Sequence, residues 1–129
     1  MIVDTSAVIA IVQEEPGFER LVRAMLSADS VGIGTPTLTE TAIVLASRIN
    51  QDPRPDLSRF MQESEMVEVP FGERHWREAT EAFLRFGKGR HPARLNFGDC
   101  MSYAIARVAD QPLLFVGNAF RQTDIEAAL

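Results

Sequence analysis

A chain of 129 residues with net charge −5, of which 46% are hydrophobic, 24% charged and 8% aromatic, has room for one compact domain and the composition of an ordinary core former. Disorder and fibrous repeats are excluded; so is a disulfide scaffold, because Cys100 is the only cysteine, and structural zinc, because His75 and His91 stand apart from it and from each other. The longest apolar runs, Ala7 to Val12 and Ala42 to Ala46, fall far short of the roughly 20 residues that cross a bilayer.

The opening carries no basic leader and is interrupted by Asp4, which predicts a protein of the cytoplasm without a secretory signal. Charge is unevenly spread. Residues 1 to 65 hold 5 basic and 10 acidic side chains, residues 66 to 129 hold 8 of each, and no acid lies between Glu81 and Asp99. That window carries Arg85, Lys88, Arg90, His91 and Arg94, a local basic loop suited to a phosphate contact on an otherwise acidic protein.

In chain order, Met1 to Val3 reads as a strand entering Asp4-Thr5-Ser6, three good N-caps for a helix over Ala7 to Val12. Pro16-Gly17 breaks it, and Phe18, Leu21, Val22, Met25 and Leu26 then recur at helical spacing. A second strand is expected over Ser30 to Ile33. A helix over Thr37 to Asn50 has apolar residues around most of its circumference and is expected to be nearly all buried, with Glu40 inside it.

After the turn Asp52-Pro53-Arg54-Pro55, a helix over Leu57 to Ser64 and a third strand over Met66 to Val69 are predicted. An amphipathic helix over Gly72 to Phe86 should face inward through Trp76, Ala79, Phe83 and Phe86, with Glu81 and Arg85 paired outside. The basic segment Gly87 to Leu95 leads to a helix over Asn96 to Ala109, with Phe97, Met101, Ala104, Ile105 and Val108 inward. Leu113 to Val116 suits a strand covered on both faces, and a short helix near Thr123 to Ala128 closes the chain. Strands alternating with helices predict an α/β sandwich with a parallel sheet, and the lack of repeats or linkers makes residues 1–129 one domain.

Three carboxylates stand where a core should be apolar: Asp4 after Ile2-Val3, Glu40 ahead of Ala42-Ile43-Val44-Leu45, and Asp99 between Phe97 and Met101. Each has an ordinary explanation. Asp4 caps a helix, Glu40 completes a capping box with Thr37, and Asp99 sits favourably in a first turn. Together they need three separate excuses, whereas convergence at the edge of an open α/β sheet around a hard cation, Mg²⁺ or Mn²⁺, explains all three. Other chemistry is poorly supported. Ser6 and Ser102 have no histidine at a suggestive position, Gly87-Lys88-Gly89 is no P-loop, and Cys100 reads as a small core side chain.

The opening Met1-Ile2-Val3-Asp4-Thr5-Ser6-Ala7, Glu40-Thr41-Ala42, Gly87-Lys88-Gly89-Arg90-His91, Leu95-Asn96-Phe97-Gly98-Asp99-Cys100, Leu114-Phe115-Val116-Gly117-Asn118 and Thr123-Asp124-Ile125 together resemble a PIN-domain ribonuclease of the VapC toxin type. The likeness runs nearly end to end. It implies a three-layer sandwich with a mostly parallel sheet of four to five strands and helices on both faces. It also implies a metal-dependent endoribonuclease toxin of a type II toxin–antitoxin module, usually dimeric and neutralised by a VapB-like antitoxin. Asp4, Glu40 and Asp99 would hold Mg²⁺ or Mn²⁺, Thr5 or Ser6 would support the first ligand, and Asn96 would lie near the mouth of the site. Lys88, Arg90 and Arg94 would meet RNA phosphates.

One position departs from the family. Ala119 occupies the place after the last strand where an Asp is expected, and Asn118 offers an oxygen without charge. Asp124 is expected to cap the closing helix. The rival reading is thus the same fold crippled by Ala119 and acting as an antitoxin- or RNA-binding module. A small α/β phosphatase ranks last, because the second Asp two residues after a nucleophilic Asp4 is absent.

Overall fold

Residues 1–129 are described by a computed structural model. Four short strands, β1 (Ile2–Val3), β2 (Gly32–Gly34), β3 (Val67–Val69) and β4 (Leu113–Leu114), alternate with helices α1 (Thr5–Val12), α2 (Phe18–Ser27), α3 (Thr35–Ile49), α4 (Arg54–Glu63), α5 (Glu73–Phe86) and α6 (Phe97–Ala109). The sheet order is β3-β2-β1-β4, and all its pairings are parallel. The expected α/β sandwich is present, with four strands. No helix is long and apolar enough to cross a membrane.

Strand alternation sorts the apolar side chains into two cores. On one face Ile2, Leu113 and Phe115 pack with Ala79, Ala82 and Phe86 of α5 and with Tyr103, Ala104 and Ile105 of α6. On the other, Val3, Ile33 and Leu114 pack with α1, with Leu21 and Met25 of α2, and with Leu45 and Leu57. Neighbouring residues of β1 and of β4 therefore serve opposite layers, which is why these two strands read as uninterrupted apolar pairs rather than as an alternating pattern.

Order along the sheet positions the site. From β1 the chain moves outward to β2 and β3, then returns to place β4 on the other side of β1. The crevice beyond the carboxyl ends of β1 and β4 is thus a topological switch point, where open α/β sheets bind ligands. Asp4 is the residue that follows β1.

Several expectations are corrected. Of α3 only Thr37, Thr41 and Leu45 are buried, and Ile43 is 65% exposed. The helix packs against α1 and α6, so one flank is covered and its apolar circumference exceeds the contact it makes. In α5 the inward seam is Ala79, Ala82 and Phe86, while Trp76 and Phe83 stay exposed; in α6 Phe97 points outward. Arg85 pairs with Asp124 at 3.2 Å rather than with Glu81, and the i,i+4 pair of α5 is Glu73–Arg77.

The closing helix near Thr123 to Ala128 does not form. A 3-10 turn at Phe120–Gln122 is followed by an extended tail that bridges Ala127 to Leu113. Asp124 caps nothing; it accepts from the Tyr103 hydroxyl at 2.6 Å and from Arg107 at 2.7 Å. Burial opposes its charge, but these partners and Arg85 together hold its carboxyl below the usual range. That cluster ties the tail to α5 and α6.

Candidate active site

Every buried polar or charged side chain in the chain belongs to one cluster: Asp4, Thr5, Thr37, Thr41 and Ser102. Asp4 is 5% exposed, and an anion so placed costs several kcal/mol unless its oxygens are satisfied. Both are. Oδ2 accepts from the Ser6 amide at 3.0 Å and the Ser6 hydroxyl at 2.6 Å, and Oδ1 accepts from the Ser102 hydroxyl at 2.5 Å. The Ser6 oxygen is held in turn by the Val116 amide at 3.0 Å, which ties the end of β4 to the end of β1.

Glu40 projects from α3. Its Oε1 accepts from the Thr5 hydroxyl at 2.6 Å, and Thr5 Oγ1 accepts from Thr41 at 3.2 Å. Thr37 forms no capping box with it, because α3 begins two residues before the expected start, at Thr35 with Gly34 as cap, and the Thr37 hydroxyl instead pairs with Ser102 at 3.1 Å. Of the two residues expected to support the first acid, Ser6 does so and Thr5 serves Glu40.

Asp99 lies in the first turn of α6, in a capping box with Asn96: the Asn96 amide donates to Oδ2 at 3.0 Å and the Asp99 amide donates to the Asn96 side chain at 2.8 Å. Its neighbour Gly98 has no side chain for a specific reason, since a Cβ there would run into the Glu40 carboxylate. Burial pushes the Asp99 carboxyl up to about 6, the charges of Asp4 and Glu40 push the same way, and the Asn96 amide opposes them. Asp99 at the start of α6 therefore feels the charge of Asp4 from the end of β1 and of Glu40 from α3.

No three Asp, Glu, His or Cys side chains stand ready-arranged to chelate one ion; each acid is held by its own neighbour. The chemistry of the donor set nonetheless fits a hard cation. Only oxygen ligands are offered, and a divalent ion would offset both the burial that chiefly raises Asp99 and the smaller repulsion from Asp4 and Glu40. Ser102, Thr37 and Thr41 were not singled out as supports from the sequence. Their signal is hydroxyls on otherwise apolar helix faces, with Thr37 and Thr41 one turn apart.

The basic loop is a built structure. Gly87 and Leu95 bridge, the Lys88 amide donates to the Leu95 carbonyl at 3.0 Å, and the loop ends directly at the Asn96 cap. Lys88, Arg90 and Arg94 are all exposed, and none is in an ion pair within the chain. Arg90 lies over the Phe83 ring at 5.5 Å. Ala119 is half-buried against the α5/α6 core, whereas Asn118 is exposed.

A PIN domain family model matches residues 1–126. The chain is 49% identical to ribonuclease VapC36 of Mycobacterium tuberculosis over 127 residues, 98% of this chain and 91% of that protein. It is 42% identical to ribonuclease VapC of Mycolicibacterium smegmatis, over 98% of each. Among solved structures, Mycobacterium tuberculosis VapC20, described as a sarcin-ricin loop cleaving toxin, superposes with a TM-score of 0.76 at 18% identity, covering 96% of this chain and 95% of that one. A toxin–antitoxin complex from Klebsiella pneumoniae gives 0.69 at 15% identity, covering 95% and 92%.

Because the Asp99 carboxyl sits near 6 rather than at its ordinary 3.8, the folded state holds that proton more tightly than the unfolded chain does. The resulting penalty is absent below about pH 4, grows as the pH rises through about 6, and is complete above it. Asp99→Asn keeps an oxygen for the Asn96 amide and removes the charge. It should stabilise the fold by about 1 kcal/mol at pH 8, after discounting for solvent screening, and by nothing at pH 4. Urea denaturation at the two pH values checks this, and equal effects at both would contradict it.

Proposed function

The chain belongs to the VapC ribonucleases of the PIN-domain family, endoribonuclease toxins of toxin–antitoxin modules, and on that premise we propose that it cleaves RNA in the cytoplasm with Mg²⁺ or Mn²⁺ held by Asp4, Glu40 and Asp99. The observation that carries this reading is the gathering of all the buried polar side chains at the switch point of the sheet. When bound, the cation supplies activation of a water and neutralisation of charge on a phosphodiester.

The chain's own residues set the conditions for that chemistry. Ser6 fixes the orientation of Asp4 from within its own turn, Thr5 fixes Glu40, and the Asn96 box fixes Asp99. Gly98 lets the Glu40 carboxylate lie against the first turn of α6. Lys88, Arg90 and Arg94, in no ion pair within the chain, supply cationic groups for RNA phosphates, and the arginine forks match phosphate geometry.

Cleavage of structured RNA with Mg²⁺ or Mn²⁺ tests the assignment. Asp4→Ala and Asp99→Asn should each lower kcat by at least about 10²-fold, while reversing Lys88, Arg90 and Arg94 to Glu should raise KM and leave kcat nearly unchanged. Full activity in Asp4→Ala sinks the mechanism. The apolar Ala119, packed into the core side where the family carries an acid, favours a second reading: an impaired nuclease that binds without turnover. Ala119→Asp separates the two, since cleavage no faster than the parent's rules out impairment.

Two protein partners complete the proposal. The antitoxin is a basic one, because the acidic half of the chain carries Asp4 and Glu40, and one of its arginines enters the site to pair with the carboxylates. An apolar groove between α1, α2 and α4, lined by Met25, Phe60 and the outward-standing Leu26 and by Asp29, Glu63 and Glu65, suits the apolar face of the same partner. Removing Asp4 and Asp99 together should weaken antitoxin binding at least about tenfold in calorimetry; unchanged affinity excludes the arginine.

A second copy of the chain is the other partner. The groove between α5 and α6 is lined by Phe71, Trp76, Phe83, Phe97 and Met101, with Phe97 80% exposed, an apolar area of the kind that marks an interface. Sedimentation should give a dimer for the parent and a monomer for Trp76→Glu with Phe97→Glu. A parent chain that sediments as a monomer ends this assignment.

A further inference from the structure

Ser102 is 0% exposed in the middle of α6, and nothing in the chemistry above requires a hydroxyl there. Its position is nevertheless tightly defined. The Ser102 oxygen lies 2.5 Å from Asp4 Oδ1 and 3.1 Å from Thr37 Oγ1. A serine hydroxyl has one proton, and a carboxylate already accepting on its other oxygen from Ser6 has none to give, so Ser102 donates to Asp4. Thr37 must then donate to Ser102. The result is a directed chain of two hydroxyls, Thr37 to Ser102 to Asp4, running from α3 through α6 to the end of β1.

The alternatives for so buried a hydroxyl are poor. A serine or threonine inside a helix commonly bonds back to the carbonyl of its own preceding turn, as Thr39 does in α3; Ser102 makes no such bond among those of the chain. Its neighbours on α6, Tyr103, Ala104 and Ile105, are core residues, and an alanine would fill the space at no cost if only packing mattered. Ser102 also reaches Asp4 across 98 residues of sequence, so the contact exists only because α6 packs over the carboxyl end of β1.

We propose that Ser102 is a positioning residue: its hydroxyl, oriented by Thr37, holds Asp4 Oδ1 in the direction needed to ligate the catalytic cation. The inference rests on the reading of Asp4 as a ligand. Donors behind a ligating carboxylate restrict its rotation and set its basicity, and their loss typically costs about 10–100-fold in metal affinity. Ser6 performs this service for Oδ2 from within the same turn; Ser102 is the only side chain that performs it for Oδ1.

Mn²⁺ binding to the intact protein, followed by the electron paramagnetic resonance signal of free Mn²⁺, tests the proposal without relying on turnover. Ser102→Ala should bind Mn²⁺ about 10–100-fold more weakly than the parent and should regain RNA cleavage as Mn²⁺ is raised, a recovery that general structural damage would not allow. Thr37→Val, which keeps the shape and removes the donor, should weaken Mn²⁺ by a few-fold in the same direction. Unchanged Mn²⁺ affinity in a folded Ser102→Ala overturns the proposal while leaving Asp4 as a ligand. If Ser102→Ala does not fold, Thr37→Val decides: parental affinity overturns the proposal and weakened affinity supports it. Asp4→Ala serves as the control; Mn²⁺ binding equal to the parent's in that variant refutes the ligand reading, and the role of Ser102 falls with it.

Discussion

One buried carboxylate organises this molecule. Asp4 stands at the end of the central strand, almost out of contact with water, and it is tolerable there only because three donors reach its two oxygens. Those donors come from the first turn of α1 and from the middle of α6, and the Ser6 hydroxyl is itself held by the amide that follows β4. Satisfying one charge thus demands that two helices and two strands meet at a single point, and the hydroxyls of Thr5, Thr37 and Thr41 extend the same network to α3.

For Asp4 and Asp99, capping a helix and converging on one edge of the sheet are compatible. Asp4 does cap α1, and Asp99 does share a capping box with Asn96. The free amides of a helix start are good partners for a carboxylate, so a fold that delivers helix starts to one edge of a sheet can also deliver acids there with their oxygens already oriented. What capping alone does not explain is the raised Asp99 carboxyl. An Asp99 carboxyl near 6, raised by burial and by the charges of two other acids, is a standing cost to the fold, and a site that pays such a cost is where function is expected.

Charge and exposed apolar surface are segregated around this point. The cationic loop closes on itself and ends at the cap of α6, so it is carried on the same helix start as Asp99. Trp76, Phe83 and Phe97 stand outward between α5 and α6, and Leu26 stands outward at the opposite groove among Asp29, Glu63 and Glu65. One chain therefore presents an acidic edge at the switch point of the sheet, an apolar groove without acids and an apolar groove rimmed by them.

Much of this was readable from residue order. The alternation of short apolar strands with helical periodicity dictated a parallel α/β sandwich, and Asp4, Glu40 and Asp99 stood out because an acid inside an apolar run has few cheap explanations. Local rules worked for Asp4, which caps α1, and for Asp99, which sits in the first turn of α6. They failed where partners were distant. Apolar content made α3 look buried on all sides, yet only one flank meets α1 and α6; Arg85 preferred Asp124, brought by the tail, to Glu81 on its own helix; and Thr123 to Ala128 exchanged a helix for a bridge to β4. Which hydroxyl serves which acid, Ser102 for Asp4 and Thr5 for Glu40, was decided by the packing of α6 and α3 over the end of β1, because a hydrogen bond between groups far apart in sequence exists only once the backbone has brought them within reach.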